Sequence, residues 1–211
     1  MSLEPPPDPL DPTIETVPAG TVLYRVHDPV LPSGVVNDGT VMNPGFGKPT
    51  RFAFFGDPPV PALYAADQPE GAVHESILHD AEPGSFIPQA QWQTKVLTAI
   101  EVTADLAVAA FRSDGLRRFG LFPADLTDTN PSEYPETVKW PEAVWRDGLH
   151  DVAYRCRHYN SSEAVCLFGD RLPTGALRVA RTHADTRLFA LPEDAEWLAS
   201  LALAMRVVLR P

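Results

Sequence analysis

Proline sets the grain of this sequence. Twenty-three of its 211 residues are Pro, about twice ordinary usage. Each locks φ, removes a backbone donor and interrupts helices and interior strands. Such a chain folds as short elements joined by many irregular connections. The apolar runs agree. Strand-like segments are predicted at 22–27 (VLYRVH, after Gly20), 51–55 (RFAFF, ended by GDPP), 62–66, 95–103, 106–111, 152–156 and 164–168, with another around 176–181. Helices are predicted from Asp67, an N-cap with Pro69 in the first turn, through Asp80; around 136–146, broken or restarted at Pro141; and over 193–208, opened by Pro192. In the first of these, Val73 and Ile77 share a buried stripe, and Glu75 lies off its centre, at the edge of a cleft. The strands are mixed with helices without strict βαβ alternation. The expected fold is therefore α+β: a mixed, mostly antiparallel sheet with flanking helices. Residues 1–19, acidic and proline-rich, read as a flexible tail, and 20–211 as a single domain.

Charge and motifs narrow the chemistry. The formal net charge is −11, and no basic stripe marks a nucleic-acid face, so neither nucleic acid nor an anionic membrane is an expected partner. No stretch approaches the roughly 20 apolar residues of a membrane span, and the N-terminus lacks the pattern of a secretion signal. The two cysteines, Cys156 and Cys166, cannot staple a chain this long and have no metal-ligand spacing around them; a reducing cytoplasm and no metal are expected. NPGFGKPT (43–50) has the wrong spacing for a phosphate loop, and GxGxxG, GxSxG and HExxH are absent. What remains is a set of polar residues in or beside apolar runs: Arg25 within LYRV, Arg51 ahead of FAFF, Tyr64 within ALYAA, and Glu75 with His74 and His79 on the first helix. Taken singly, each is as well explained by a solvated face, a core ring or a local hydrogen bond.

Taken in order, they resemble a known family. Tyr24-Arg25, Asn43, Arg51-Phe52, Leu63-Tyr64-Ala65, Ala72 with His74-Glu75, and later Tyr154-Arg155-Cys156 and Val165-Cys166-Leu167-Phe168 follow the pattern of the RES domain, named for its arginine, glutamate and serine. The resemblance covers roughly residues 21–170. It implies a fold similar to ADP-ribosyltransferases, a split sheet around an NAD cleft. It implies an enzyme that consumes NAD by hydrolysis or phosphorolysis, with NAD as substrate and not as a resident cofactor. It also implies a bacterial toxin whose partner is a small antitoxin with a helix-turn-helix domain; a homo-oligomer is left open. Carried over by position, Arg25 and Arg51 match the family's arginines, Tyr64 its tyrosine and Glu75 its glutamate. The family's serine falls on Cys156, a weaker hydrogen-bonding group, with Ser161 and Ser162 nearby in the following loop. On this resemblance Glu75 and Arg25 are the expected catalytic residues, and Arg25, Arg51, Tyr64 and Cys156 the expected NAD-binding ones. Two other outcomes stay open: transfer of ADP-ribose to a protein or small molecule, and a catalytically inactive relative that binds NAD or a protein partner.

Overall fold

A computed structural model describes residues 3–181 and 186–210. The chain order is β1 (Ile14–Val17), β2 (Val22–His27), β3 (Ala62–Ala66), α1 (Pro69–His74), β4 (Phe86–Pro88), β5 (Val96–Val102), β6 (Leu106–Phe111), α2 (Ser113–Arg118), α3 (Pro123–Leu126), α4 (Tyr134–Thr137), α5 (Lys139–Arg146), β7 (Asp151–Arg155), β8 (Glu163–Phe168), β9 (Leu177–Val179), β10 (Arg187–Leu188), α6 (Pro192–Ala204) and β11 (Val208–Arg210). The main sheet runs β1-β6-β7-β8-β3-β2-β5-β10, with β9 also on β5. Every pairing in it is antiparallel except β6 with β7. This is the mixed, mostly antiparallel α+β architecture expected. Among the described residues no helix is long and apolar enough to cross a membrane.

The alternation of each strand divides its side chains between two cores. On one face Phe52, Phe111, Val152, Tyr154, Cys166 and Phe168 pack with Trp140, Val144 and Leu198 of the helices. On the other, Leu23, Leu63, Ile100, Leu106, Val165 and Leu167 are covered by Val17, Met42, Leu172 and Leu177. Each fully buried Leu, Ile or Phe contributes about 1.5–3 kcal/mol of transfer free energy, so the two layers together hold the sheet.

The sheet is split between β2 and β3. β2 pairs with β5 along its whole length, Val22↔Glu101 to His27↔Val96, but meets β3 only at Tyr24↔Ala66. Beyond that point the strands part, and the end of β3 is instead bridged to the preceding loop at Asn43↔Ala62. The parted segment becomes the cleft described below.

Several predicted elements differ from those observed. Residues 51–55 form no strand, because side chains have taken their backbone groups. The Thr50 hydroxyl donates to the Ala53 carbonyl and accepts from its N–H, the Phe52 N–H donates to the Tyr64 hydroxyl, and Thr137 donates to the Arg51 carbonyl. Phe52 and Phe55 still fill the core, which is why the run reads as apolar. Asp67 does not cap α1; its Oδ1 accepts from Ser162 Oγ and the Glu163 N–H, and Gln68 takes the N-cap position. The helix stops at His74, short of Asp80, where the Ser76 hydroxyl bonds back to the Ala72 carbonyl and competes with the ladder. The 136–146 segment is two helices, and Pro141 falls in the first turn of the second, where its missing N–H is harmless. The last helix ends at Ala204, and Val208–Arg210 returns as a strand parallel to β4. The N-terminal segment, expected as a loose tail, buries Leu10 and adds β1 to the sheet edge in register Ile14↔Ala109.

One buried group carries a pH prediction. Asp151, at the start of β7, is wholly buried between Val108 and Leu167, and neither carboxyl oxygen has a hydrogen-bond partner among the described residues. Burial pushes its pKa well above the ordinary range; Arg112 tempers the effect but is committed to Glu15 and Glu163. The folded chain therefore keeps a proton that the unfolded chain releases above about pH 4, so this group weakens folding as pH rises from there. Asp151→Asn removes the titration. It is expected to leave stability near pH 4 almost unchanged and to raise Tm at pH 8 by about 3–8 °C. Thermal denaturation of both chains from pH 4 to 8 checks this; parallel pH profiles would show that Asp151 is ionised and paired.

Candidate functional site

Two adjoining cavities, of about 180 and 750 Å³, open where β2 and β3 part. Asn43, Lys48, Thr50, Tyr64, Glu75 and Ser76 line both, so they form one cleft. Arg25 enters the smaller part and Arg51 the larger. Arg25, Lys48, Arg51 and Lys95 thus face Glu75 and Asp80 across a cleft in an otherwise acidic chain.

Arg25 is nearly buried on β2, and its Nη1 donates to the carbonyls of Gly39 (2.8 Å) and Val41 (2.7 Å). It thereby ties the loop after β2 back onto the strand. Desolvation lowers its pKa to about 10, with Asp38 opposing the shift, so it remains cationic at neutral pH. Arg51 is 3 % exposed, and its Nε and Nη2 have no hydrogen-bond partner among the described residues. Its guanidinium lies 5.7 Å from the Phe52 ring centroid and 6.0 Å from that of Tyr134, so aromatic faces supply part of the compensation a buried cation needs.

Tyr64, on β3, lines both parts of the cleft. Its hydroxyl is 2.7 Å from Thr50 Oγ1 and accepts from the Phe52 N–H at 3.2 Å. Burial keeps the phenol protonated. These bonds hold the 50–53 turn and so orient Arg51. Glu75, the residue after α1, is half-buried. Its Oε2 accepts from the Tyr154 hydroxyl at 2.7 Å and its Oε1 from the Arg157 N–H at 3.1 Å. The helix sits close to the 156–162 loop because Gly71 lacks a side chain: a Cβ there would lie 2.0 Å from Ser162 Oγ.

The structure brings Arg25, Arg51, Tyr64 and Glu75 to one cleft. Cys156 is placed differently. It is wholly buried at the end of β7 and lines another cavity, between that strand and the α2–α3 region. Burial and the Glu75 carboxylate push its thiol up to about 12, so it stays protonated. Ser162 is equally buried and committed to Asp67 at 2.5 Å; the Ser161 carbonyl accepts from Gln68. Among the described residues, the hydroxyls lining both parts of the cleft belong to Thr50, Tyr64 and Ser76. Sequence reasoning passed over Lys48, Ser76 and Tyr134 as cleft residues and Tyr154 and Arg157 as partners of Glu75. Ser76 adjoins Glu75 in the chain, a usable signal; the others come from loops and strands whose approach no local pattern records. His74 is turned away, stacked on Tyr159 at 4.9 Å, with its pKa lowered by burial to about 4.

Comparison with known proteins bears on the fold and the family. A chain in the crystal structure of the M. tuberculosis MbcT–MbcA toxin–antitoxin complex is 21 % identical, with a TM-score of 0.51 over 79 % of this chain and 84 % of that one, a likeness of fold. No curated protein matches the chain. The model of the RES domain matches residues 22–191, past residue 170 where the motif resemblance stops. Matched from the first residue of β2 to the turn that opens α6, the chain belongs to the RES domain family.

Proposed function

We propose that this protein is an NAD-consuming enzyme that cleaves the bond between nicotinamide and ribose, and that it acts as the toxin of a toxin–antitoxin pair. The observation that carries the reading is the cleft itself: a held carboxylate, Glu75, faces the same space as Arg25 and Arg51. NAD presents a diphosphate and a cationic nicotinamide on a ribose. Guanidinium groups match phosphate oxygens with paired N–H bonds. Cleavage leaves an oxocarbenium-like sugar, and a carboxylate at that carbon stabilises the developing positive charge. Arg25 and Arg51 take the diphosphate, with Lys48 adding positive potential, and Glu75 takes the sugar; Lys95 is paired with Asp28. Tyr64 borders the site and holds the turn that carries Arg51. Cys156 lines a different cavity and takes no part in binding NAD in this reading.

Support for the partner comes from the structural neighbour, which belongs to a toxin–antitoxin complex, and from family membership. An antitoxin with a helix-turn-helix domain would cover the cleft and keep NAD out.

The test is incubation of the purified chain with NAD labelled in the adenosine half, with and without inorganic phosphate. The expected result is loss of NAD with release of nicotinamide and either ADP-ribose or its 1-phosphate. Label appearing on protein would assign ADP-ribose transfer instead. Intact NAD under all conditions would leave a non-catalytic relative.

A further inference from the structure

Glu75 follows the last residue of a six-residue helix, a poor platform for a side chain with three torsions to settle. What restrains it comes from β7 and the residues that follow it. Tyr154 on β7 donates its O–H to Oε2, and the Arg157 N–H, just past the end of β7, donates to Oε1. Both donors are themselves fixed. Tyr154 is wholly buried, with its ring edge-on to Phe52 at 4.8 Å. The Arg157 side chain is anchored to Asp128 (2.7 Å) and Asn130 (3.3 Å). Burial and the adjacent carboxylate push the Tyr154 phenol well above its usual range, so it remains a donor at neutral pH. A ring needed only as core filling has no use for a hydroxyl aimed at the one carboxylate of the cleft that the family pattern singles out.

We infer that Tyr154 is a positioning residue for the reaction: its hydroxyl holds one carboxylate oxygen of Glu75 so that the charge meets the sugar in a single orientation. The inference rests on the reading of Glu75 given above. It predicts that the hydroxyl contributes to turnover and not to NAD affinity, and that its contribution passes entirely through Glu75.

The experiment compares the parent chain with Tyr154→Phe, Glu75→Gln and the double variant, measuring NAD consumption over a concentration series and thermal denaturation of each. Phe retains the ring and its packing. Tyr154→Phe is expected to lower kcat about 10- to 30-fold with KM changed less than about twofold. Added to Glu75→Gln, it is expected to change turnover by less than about twofold, because no carboxylate is left to hold. A Tyr154→Phe chain as active as the parent, or effects that multiply in the double variant, overturns the positioning role and leaves the Glu75 reading standing. A parent that leaves NAD intact, or Glu75→Gln at the parent's rate, overturns both. Glu75→Asp bears on the same point without touching the core: it keeps the charge but withdraws it from both donors. Its kcat is expected to fall at least as far, and an undiminished rate overturns the inference.

Discussion

Replacing Glu75 by Gln is expected to slow NAD turnover about a thousandfold while NAD still binds. The substitution is close to isosteric, and the surroundings can accept it. The carboxamide oxygen can take the Arg157 N–H, and its NH2 can donate to the Tyr154 hydroxyl, which accepts as well as donates. The Tyr154 proton gives up its acceptor in the exchange, at a cost of about 1–3 kcal/mol, so the fold should persist with Tm lowered by several degrees. What is lost, on the proposed mechanism, is the negative charge that would face the sugar as the bond to nicotinamide breaks. A loss confined to kcat marks an interaction made only in the transition state. Initial rates of nicotinamide release from purified parent and variant measure the effect, and growth of a bacterial host expressing each gives a second readout: arrest with the parent, none with the variant. Equal rates would remove Glu75 from the mechanism.

The second large effect is expected at Arg25, on binding. Arg25→Ala should weaken NAD affinity about 30- to 100-fold. Two losses combine. A cationic donor leaves the smaller part of the cleft, and the Gly39 and Val41 carbonyls lose the Nη1 contacts that tie their loop to β2. Arg25→Lys should recover only part of the loss, because an ammonium keeps the charge but lacks the planar geometry. Affinity is best measured by calorimetry in the Glu75→Gln background, where NAD is not consumed during titration. Unchanged affinity there would show that Arg25 serves only the loop. In that case Arg51, whose Nε and Nη2 lack hydrogen-bond partners among the described residues, would carry the diphosphate with Lys48.

The two effects separate because the cleft is built from two parts of the sheet. Arg25 belongs to the β2–β5 side of the split and Glu75 to the side where β3, β7 and β8 pair, and Tyr24↔Ala66 is the hinge between them. Strands that paired along their full length would close this space. The proposed site therefore depends on a hydrogen-bond ladder left unfinished, with the loop residue Asn43 covering the end of β3 that β2 leaves open.

How much of this the chain announces locally can be judged residue by residue. VLYRVH, ALYAA and LAVAAF are strands in the structure with the bounds read from sequence, because β-branched and apolar runs between Gly or Pro signals leave few other ways to bury their side chains. The mixed α+β class follows from the same runs, and the order of Arg25, Arg51, Tyr64 and Glu75 within them identifies the family. RFAFF shows where this stops. Its side chains do enter the core, but a hydroxyl three residues away and a phenol on another strand claim its backbone, and no local pattern contains those partners. The N-terminal strand needs β6, about ninety residues on, to complete its ladder. Tyr154 reads as an ordinary strand aromatic until the fold sets its hydroxyl against a carboxylate 79 residues earlier. Short-range chemistry thus determined most of the central strands, the class and the family. Tertiary structure alone decided which strands part to make a cleft and which buried hydroxyl holds Glu75 in it. Hydrogen bonds and burial between distant segments depend on distances in space that residue order does not encode locally.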